Sequence, residues 1–212
     1  MDLFALSGQL PNLLHRDGVV NYYGPVISVA IANRYFEQLH QGIDWQPDQA
    51  LINGQIIETK RDIAWYGDKP FSYTYSGITK VALPWTPVLL ELKALVEQET
   101  NERFNACLIN RYNNGSEGMA WHSDAERDLK KNGAIASLSL GAERKFSFKH
   151  KVSQETVSLY LQNGSLLVMT GSTQTHWRHR LPPTKTITSP RINLTFRTIV
   201  ENQNHQQTSF VD

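Results

Sequence analysis

From Phe104 onward the chain is a train of short β-type runs: ACLINRY, AIASLSLG, RKFSFKH, ETVSLYL, GSLLVMT, THWRHR and RINLTFR, each set off by a turn bearing Gly, Asn or Pro. Seven such runs with regular turn signals predict a sandwich, a jelly roll or a barrel. The first hundred residues have another texture. Residues 1 to 24 read as an irregular leader broken by Gly8, Pro11, Gly18 and Gly24. PVISVAIANRYFEQLHQGI predicts a helix starting at Pro25 and ended by Gly42, with Val26, Val29, Ala30, Phe36 and Leu39 near helical spacing. ALINGQIIETK places Asn53-Gly54 between apolar runs, a hairpin signal. PWTPVLLELKALVEQET predicts a second helix with Leu90, Ala94 and Leu95 on its stripe. The expected order is therefore α+β, then mostly β, with a seam near residue 101 and a polar, frayed tail, ENQNHQQTSFVD.

Bulk properties narrow the function classes. A chain of 212 residues with 40% apolar residues can bury one large core, alone or with an extension. The net charge of +1 gives no global positive field, so any nucleic-acid surface must be a local patch. The single Cys107 cannot form an internal disulfide, which suits a reducing compartment. MDLFALSGQLPNLLH lacks a basic region followed by a long apolar core, and no apolar run reaches the roughly 20 residues that span a bilayer. The expectation is a soluble intracellular protein, cytoplasmic or nuclear.

Two strands carry chemistry at period two. In RINLTFR, Arg191, Asn193, Thr195 and Arg197 share one face and Ile192, Leu194 and Phe196 the other. That polar face is either an outer, solvated surface or an anion pocket in which two guanidiniums hold carboxylates. In LINRY, Asn110 and Tyr112 likewise share a face. Then comes AWHSDAE, in which His122 and Asp124, two apart on an extended segment, can converge on one ion. His150, His176 and His179 are the candidates for a third ligand. In a regular THWRHR strand His176 and His179 fall on opposite faces, so at most one points inward. Two histidines and a carboxylate suit Fe(II) with open positions, or zinc; a neighbouring two-arginine pocket favours iron, because a dicarboxylate cosubstrate needs such a partner.

The ordered set YGD, YTYSG, LINRY, HSD, NGSLL, WRH and RINLTFR resembles the AlkB family of Fe(II)/2-oxoglutarate-dependent dioxygenases, from about Trp65 to Arg197, and is most similar to the AlkB homologues that repair duplex DNA. The resemblance implies a double-stranded β-helix (jelly-roll) core over residues 101–200. It implies a helix and hairpin extension for nucleotide recognition over 1–100, with 201–212 as a tail. It makes His122, Asp124 and His179 the iron ligands, choosing His179 over His176. Asn110, Tyr112, Arg191, Asn193, Thr195 and Arg197 become the 2-oxoglutarate pocket, Arg191 taking the distal carboxylate and Arg197 lying by the chelating end. Tyr73 and Tyr75 match aromatic positions that sandwich a flipped base, Glu126 an acidic residue at the base's exocyclic edge, and Arg61 a basic residue of duplex-acting members. The implied activity is oxidative demethylation of N-alkylated DNA bases, single- or double-stranded, by a monomer using Fe(II), 2-oxoglutarate and O2, with release of formaldehyde. The same chemistry on RNA or protein, and a non-catalytic nucleic-acid module, are the alternatives.

One position departs from the family pattern. Where duplex-acting relatives carry an aromatic wedge, this hairpin has Ile52-Asn53-Gly54, and an aliphatic side chain fills a vacated stack less well than a phenyl ring. Several singled-out residues also have plainer readings. Tyr73 and Tyr75 suit a core, Glu126 a charge run with Arg127 and Asp128, Trp177 packing, and Cys107 a buried small side chain. Basic clusters at Lys130-Lys131, Lys149 to Lys151 and Arg178 to Lys185 are each short, but together can supply phosphate contacts sensitive to salt.

Overall fold

The computed structural model describes residues 10–52, 54–75 and 78–200, with the backbone path alone at 50–52, 73–75 and 78–79. Asn53, the tail 201–212, and the side chains of Ile52, Tyr73 and Tyr75 lie outside the described residues.

The chain begins with β1 (Val19–Pro25), α1 (Val29–Gly42) and a long hairpin of β2 (Gln46–Ile52) and β3 (Gln55–Gly67). A short hairpin, β4 (Ser72–Tyr75) with β5 (Ile78–Val81), precedes β6 (Leu83–Pro84) and α2 (Pro87–Thr100). Then follow β7 (Ala106–Tyr112), β8 (Met119–His122), β9 (Ile135–Gly141), β10 (Arg144–His150), β11 (Thr156–Leu161) and β12 (Ser165–Thr170). A helical turn, α3 (Thr173–His176), leads into β13 (Trp177–Leu181), and β14 (Arg191–Arg197) closes the fold.

These strands form two main sheets. One has eight strands, ordered β1-β12-β9-β14-β7-β3-β2 with β6 alongside β3; the other has four, ordered β11-β10-β13-β8. All pairings are antiparallel except β3 with β6. The architecture is the α+β double-stranded β-helix, or jelly roll.

The period-two alternation of the eight-stranded sheet explains its layering. Leu138, Leu140, Leu166, Val168, Ile192, Leu194 and Phe196 face α1 and α2 in one core. From the other face Ile135, Leu167 and Met169 pack on Phe148, Leu161 and Trp177 of the four-stranded sheet. Arg191, Asn193, Thr195 and Arg197 therefore point between the sheets, not to solvent.

Three expectations need correcting. The leader is not wholly irregular, because β1 pairs with β12 from Val19↔Thr170 to Pro25↔Ser165, and Pro25 ends that strand. The helix starts later, with Ser28 Oγ accepting from the Ile31 amide as its cap. Its buried face is Ala32, Tyr35, Phe36 and Leu39, while Val29 is 63% exposed in the first turn. In α2 the buried stripe is Leu89, Leu92 and Val96, one residue round from the expected one, and Leu90 is outward. Pro87 and the Thr86 cap fix that phase, whereas spacing alone leaves it ambiguous.

The expected hairpin is the β2–β3 pair, with Ile52 opposite Gln55 and Gly54 at a φ of 78° that favours glycine. The change of texture near residue 101 is not a break in hydrogen bonding: β3 pairs with β7 from Asp62↔Arg111 to Gly67↔Ala106. Among the described residues no helix is long and apolar enough to cross a membrane.

Candidate metal centre and active site

The four-stranded sheet brings His122 and His179 opposite one another, since β8 and β13 pair in register at those residues. Their rings stand 4.2 Å apart between centroids. Asp124 lies two residues beyond His122, where its amide donates to Gln174 Oε1 at 2.9 Å, and it is almost fully buried. One ligand atom from each of the three residues falls within 4.8 Å of the others.

The hydrogen bonding leaves the right atoms free. His122 Nδ1 lies 2.8 Å from the Ala120 carbonyl, which can only accept, so Nδ1 carries a proton and Nε2 is the nitrogen turned to the centre. Asp124 Oδ2 accepts from Arg197 Nη2 at 3.0 Å, while Oδ1 turns towards His122 Nε2 at 3.7 Å and His179 Nε2 at 4.0 Å. Burial would push the Asp124 carboxyl up, but Arg197, then His179 and His122, outweigh it and hold it near 2. Burial, followed by the neighbouring charges of His122 and Arg197, lowers His179 to about 3, so its ring is neutral at ordinary pH. An ionised Asp124 carboxylate and a neutral His179 imidazole are protonation states that binding a divalent metal requires.

His176 is not part of this group. THWRHR is not one regular strand: His176 closes α3, before β13 begins at Trp177, and its ring stacks on His150 at 6.3 Å. His150 in turn meets Asp17 at 3.3 Å. Of the candidate third ligands, only His179 joins His122 and Asp124.

The cavity beyond the triad is lined by Asn110, Tyr112, Arg191, Asn193, Thr195 and Arg197, so the two period-two strands do face one space. Arg191 is 2% exposed, and its one hydrogen bond within the described protein runs from Nη2 to Ser139 Oγ at 2.9 Å. Burial pulls its guanidinium down to about 10. A buried cation with one hydroxyl and no carboxylate is costly, so an anion from outside fits it. Asn193 Nδ2 donates to Ser137 Oγ at 2.8 Å and its Oδ1 accepts from Thr195 Oγ1 at 3.3 Å, which fixes both groups.

The remaining sequence candidates are spread around this centre. Arg61 lines the same cavity, nearly buried, bound to Asp48 at 2.6 Å and in contact with the Met119 sulfur. Glu126 lines an adjoining cavity of about 490 Å3 that shares Asp124 and Arg197 with the first. Cys107 is buried on the opposite face of β7, towards the helices. Tyr73 and Tyr75 lie on β4. Sequence reading missed Ser137 and Ser139, which alternate in β9 at a period that could have revealed them, and Phe146, whose ring stacks on His179 at 5.5 Å. It also missed Asp48, which gives no local signal.

Comparison with known proteins agrees with this geometry. The family model described as the 2OG-Fe(II) oxygenase superfamily matches residues 19–197. The chain is 38% identical over 198 residues to the mouse DNA oxidative demethylase ALKBH2, covering 88% of this chain and 83% of that protein. It is 37% identical over 211 residues to the human alpha-ketoglutarate-dependent dioxygenase alkB homolog 3, covering 89% and 73%. Among solved structures, that of OsALKBH1 matches with a TM-score of 0.59 at 16% identity, over 87% of this chain and 98% of the other. A prolyl-4-hydroxylase from Pseudomonas putida matches with a TM-score of 0.54 at 15% identity, over 84% and 92%. Those two likenesses speak for the fold alone.

Proposed function

The chain belongs to the AlkB family within the 2OG-Fe(II) oxygenase superfamily and is an Fe(II)- and 2-oxoglutarate-dependent dioxygenase, and from that premise we propose that it is a DNA oxidative demethylase. Its substrates on this reading are N-alkylated bases in DNA, single- or double-stranded, and it acts as a monomer. The observation that carries the reading is the triad, with Asp124 and His179 buried and His122 half-buried, beside the under-coordinated Arg191.

His122 Nε2, His179 Nε2 and Asp124 Oδ1 would hold Fe(II). Iron with 2-oxoglutarate and O2 supplies the oxidation of the N-alkyl carbon, which leaves as formaldehyde. Every other task falls to the chain. Arg197 keeps Asp124 ionised and turned so that only Oδ1 reaches inward. The Ala120 carbonyl fixes the His122 tautomer. Arg191 receives the distal carboxylate of 2-oxoglutarate, with Asn110, Tyr112, Asn193 and Thr195 filling the rest of its pocket. Phe146 and Phe148, both in ring contact with His179, keep water from that side.

The base enters from the side of residues 1–100, whose hairpins β2–β3 and β4–β5 serve nucleotide recognition, while residues 101–200 build the oxidising cavity. Tyr73 and Tyr75 sandwich the base, Glu126 meets its exocyclic edge, Arg61 contacts the strand, and Ile52 with Asn53 occupies the vacated stack.

The test is formaldehyde release from N-methylated DNA oligonucleotides, with and without Fe(II) and 2-oxoglutarate, run beside methylated RNA and a methylated peptide. Release from DNA only when both are added is the expected result. Release from RNA or peptide but not DNA would overturn the substrate assignment. Absence of 2-oxoglutarate turnover in iron-loaded protein would overturn the catalytic reading.

A further inference from the structure

The four-stranded sheet has a second face, turned away from the cavity, that the proposed reaction does not use. Alternation fixes what it presents. Phe146, Phe148, Trp177 and His179 point inward, so Lys145, Ser147 and Lys149 of β10 and Arg178 and Arg180 of β13 point outward. The register places these groups side by side: Ser147 lies opposite Arg180 and Lys149 opposite Arg178. On the other flank Lys145 pairs with Tyr160, and Ser147 with Ser158. At the far edge Trp121 of β8 lies under Arg180, whose guanidinium stands 4.5 Å from the ring.

This face carries, among the described residues, four cations, two aromatic rings and small hydroxyls, and no carboxylate. Among the described residues none of the four cations forms an ion pair; Arg180 has only its contact with Trp121. Several cations elsewhere are matched: Arg61 and Lys80 with Asp48, Lys93 with Asp68, Arg103 with Glu97, Arg111 with Asp62. Glu155, just before β11, is engaged by His15 and Arg16, and Glu143 lies just before β10. Other cations, among them Lys130, Lys131 and Lys151, also lack an ion pair among the described residues, but this face sets four such cations side by side on two paired strands. Lys145 and Arg178 are exposed, and Tyr160 is 59% exposed.

We propose that this outer face, Lys145, Lys149, Arg178 and Arg180 with Tyr160 and Trp121, is a docking track for single-stranded nucleic acid flanking the nucleotide held in the cavity. Unpaired Lys and Arg side chains meet phosphates by releasing counterions. Aromatic side chains beside a cationic path stack bases without sequence preference, which needs unpaired bases and so selects a single strand. The location fits as well. Arg178 and Arg180 flank His179, Trp121 precedes His122, and β8 is the sheet's edge, so a strand leaving the cavity reaches this face by crossing one edge. The proposal rests on the nucleic-acid substrate proposed above.

The test uses the full chain and two variants on strands that supply no metal ligand, Lys145→Glu/Lys149→Glu and Tyr160→Ala. Binding of an unmodified single-stranded oligonucleotide of about 20 nucleotides, longer than the site of one small binding fold, is read by fluorescence anisotropy across a salt series. The charge variant should bind at least about tenfold more weakly, with the slope of log affinity against log salt reduced by about 1.4 for two lost phosphate contacts. Tyr160→Ala should weaken binding about fivefold or more and leave that slope unchanged. Demethylation of a methylated trinucleotide, too short to leave the cavity, should be unaltered in both. Unchanged affinity and slope in both variants would overturn the proposal, as would an equal loss on the trinucleotide or displacement of the oligonucleotide by an acidic peptide at matched charge. If no methylated oligonucleotide is turned over, the demethylase reading falls while the binding series still decides this one.

Discussion

Arg144 and Arg191 are both buried, at 1% and 2% exposure, and both lie over the ring of Tyr112, at 6.0 and 5.6 Å. Their surroundings differ completely. Arg144 donates to the carbonyls of Asn114, Gly115, Glu117 and Pro182, stitching the segments that follow β7 and β13. Arg191 has one serine hydroxyl. A guanidinium whose two Nη atoms meet four carbonyls is a structural bolt, because its partners are in place before any ligand arrives. One left with its donors aimed into a cavity costs stability and makes sense only if something else completes it. Burial alone therefore does not identify a binding residue; what is left unsatisfied does.

The widest version of this contrast lies in the triad. Asp124 is matched on one oxygen and turned inward on the other. Asp124→Ala should abolish iron binding and turnover together, because it removes a ligand and leaves Arg197 without that carboxylate. His179→Ala should do the same and His176→Ala should not. Metal content measured alongside 2-oxoglutarate turnover checks this, and the site is wrongly drawn if His179→Ala keeps iron and activity while His176→Ala loses them.

Next come the two arginines themselves. Arg191→Met should raise KM for 2-oxoglutarate about 30-fold or more, the lower end of what truncating one partner of a buried charged pair costs. Iron binding should persist, and the thermal midpoint should hold or rise, since an under-coordinated buried cation is gone. Arg144→Met should behave oppositely, stranding carbonyls at a cost of about 3 kcal/mol or more. In a chain of this size that is about 6 to 12 °C in Tm. Titration of 2-oxoglutarate and thermal melts on both variants separate the roles, and equal losses of Tm would erase the distinction.

Sequence alone revealed one arginine and not the other, for a physical reason. Arg191 sits in a strand whose alternation, Arg-x-Asn-x-Thr-x-Arg, announces a polar face, and the rule that successive side chains point oppositely is local. Arg144 earns its place from four carbonyls on loops 27 to 38 residues away, and nothing in RKFSFKH encodes them. The same division runs through the fold. The β-runs, the Asn53-Gly54 hairpin and the sidedness of β7 and β14 were legible because each rests on neighbours in sequence. The pairing of β1 with β12, the helical turn that removes His176 from the strand, and the Asp48–Arg61 pair were not, because tertiary partners decide them.

The smallest effect should come from Cys107, a buried polar group with neither role. It lies on β7 next to Leu108, which faces the other way, and it packs among the residues under the helices. Burial raises its thiol well above the usual range, against the opposing pull of Arg197. A thiol held protonated favours the fold below its unfolded value near 9 and loses that contribution as pH rises beyond it, so this residue makes the native state weaker in alkali, not in acid. Because the thiolate is the nucleophile, native protein at pH 8 should resist alkylation and react once denatured. Cys107→Ala should cost about 1 kcal/mol, the loss of a small buried group, and leave KM for 2-oxoglutarate untouched. A thiol that reacts rapidly in the native state, or a variant that loses cosubstrate affinity, would place Cys107 on the same footing as Arg191 and undo the distinction between groups the protein completes and groups it leaves open.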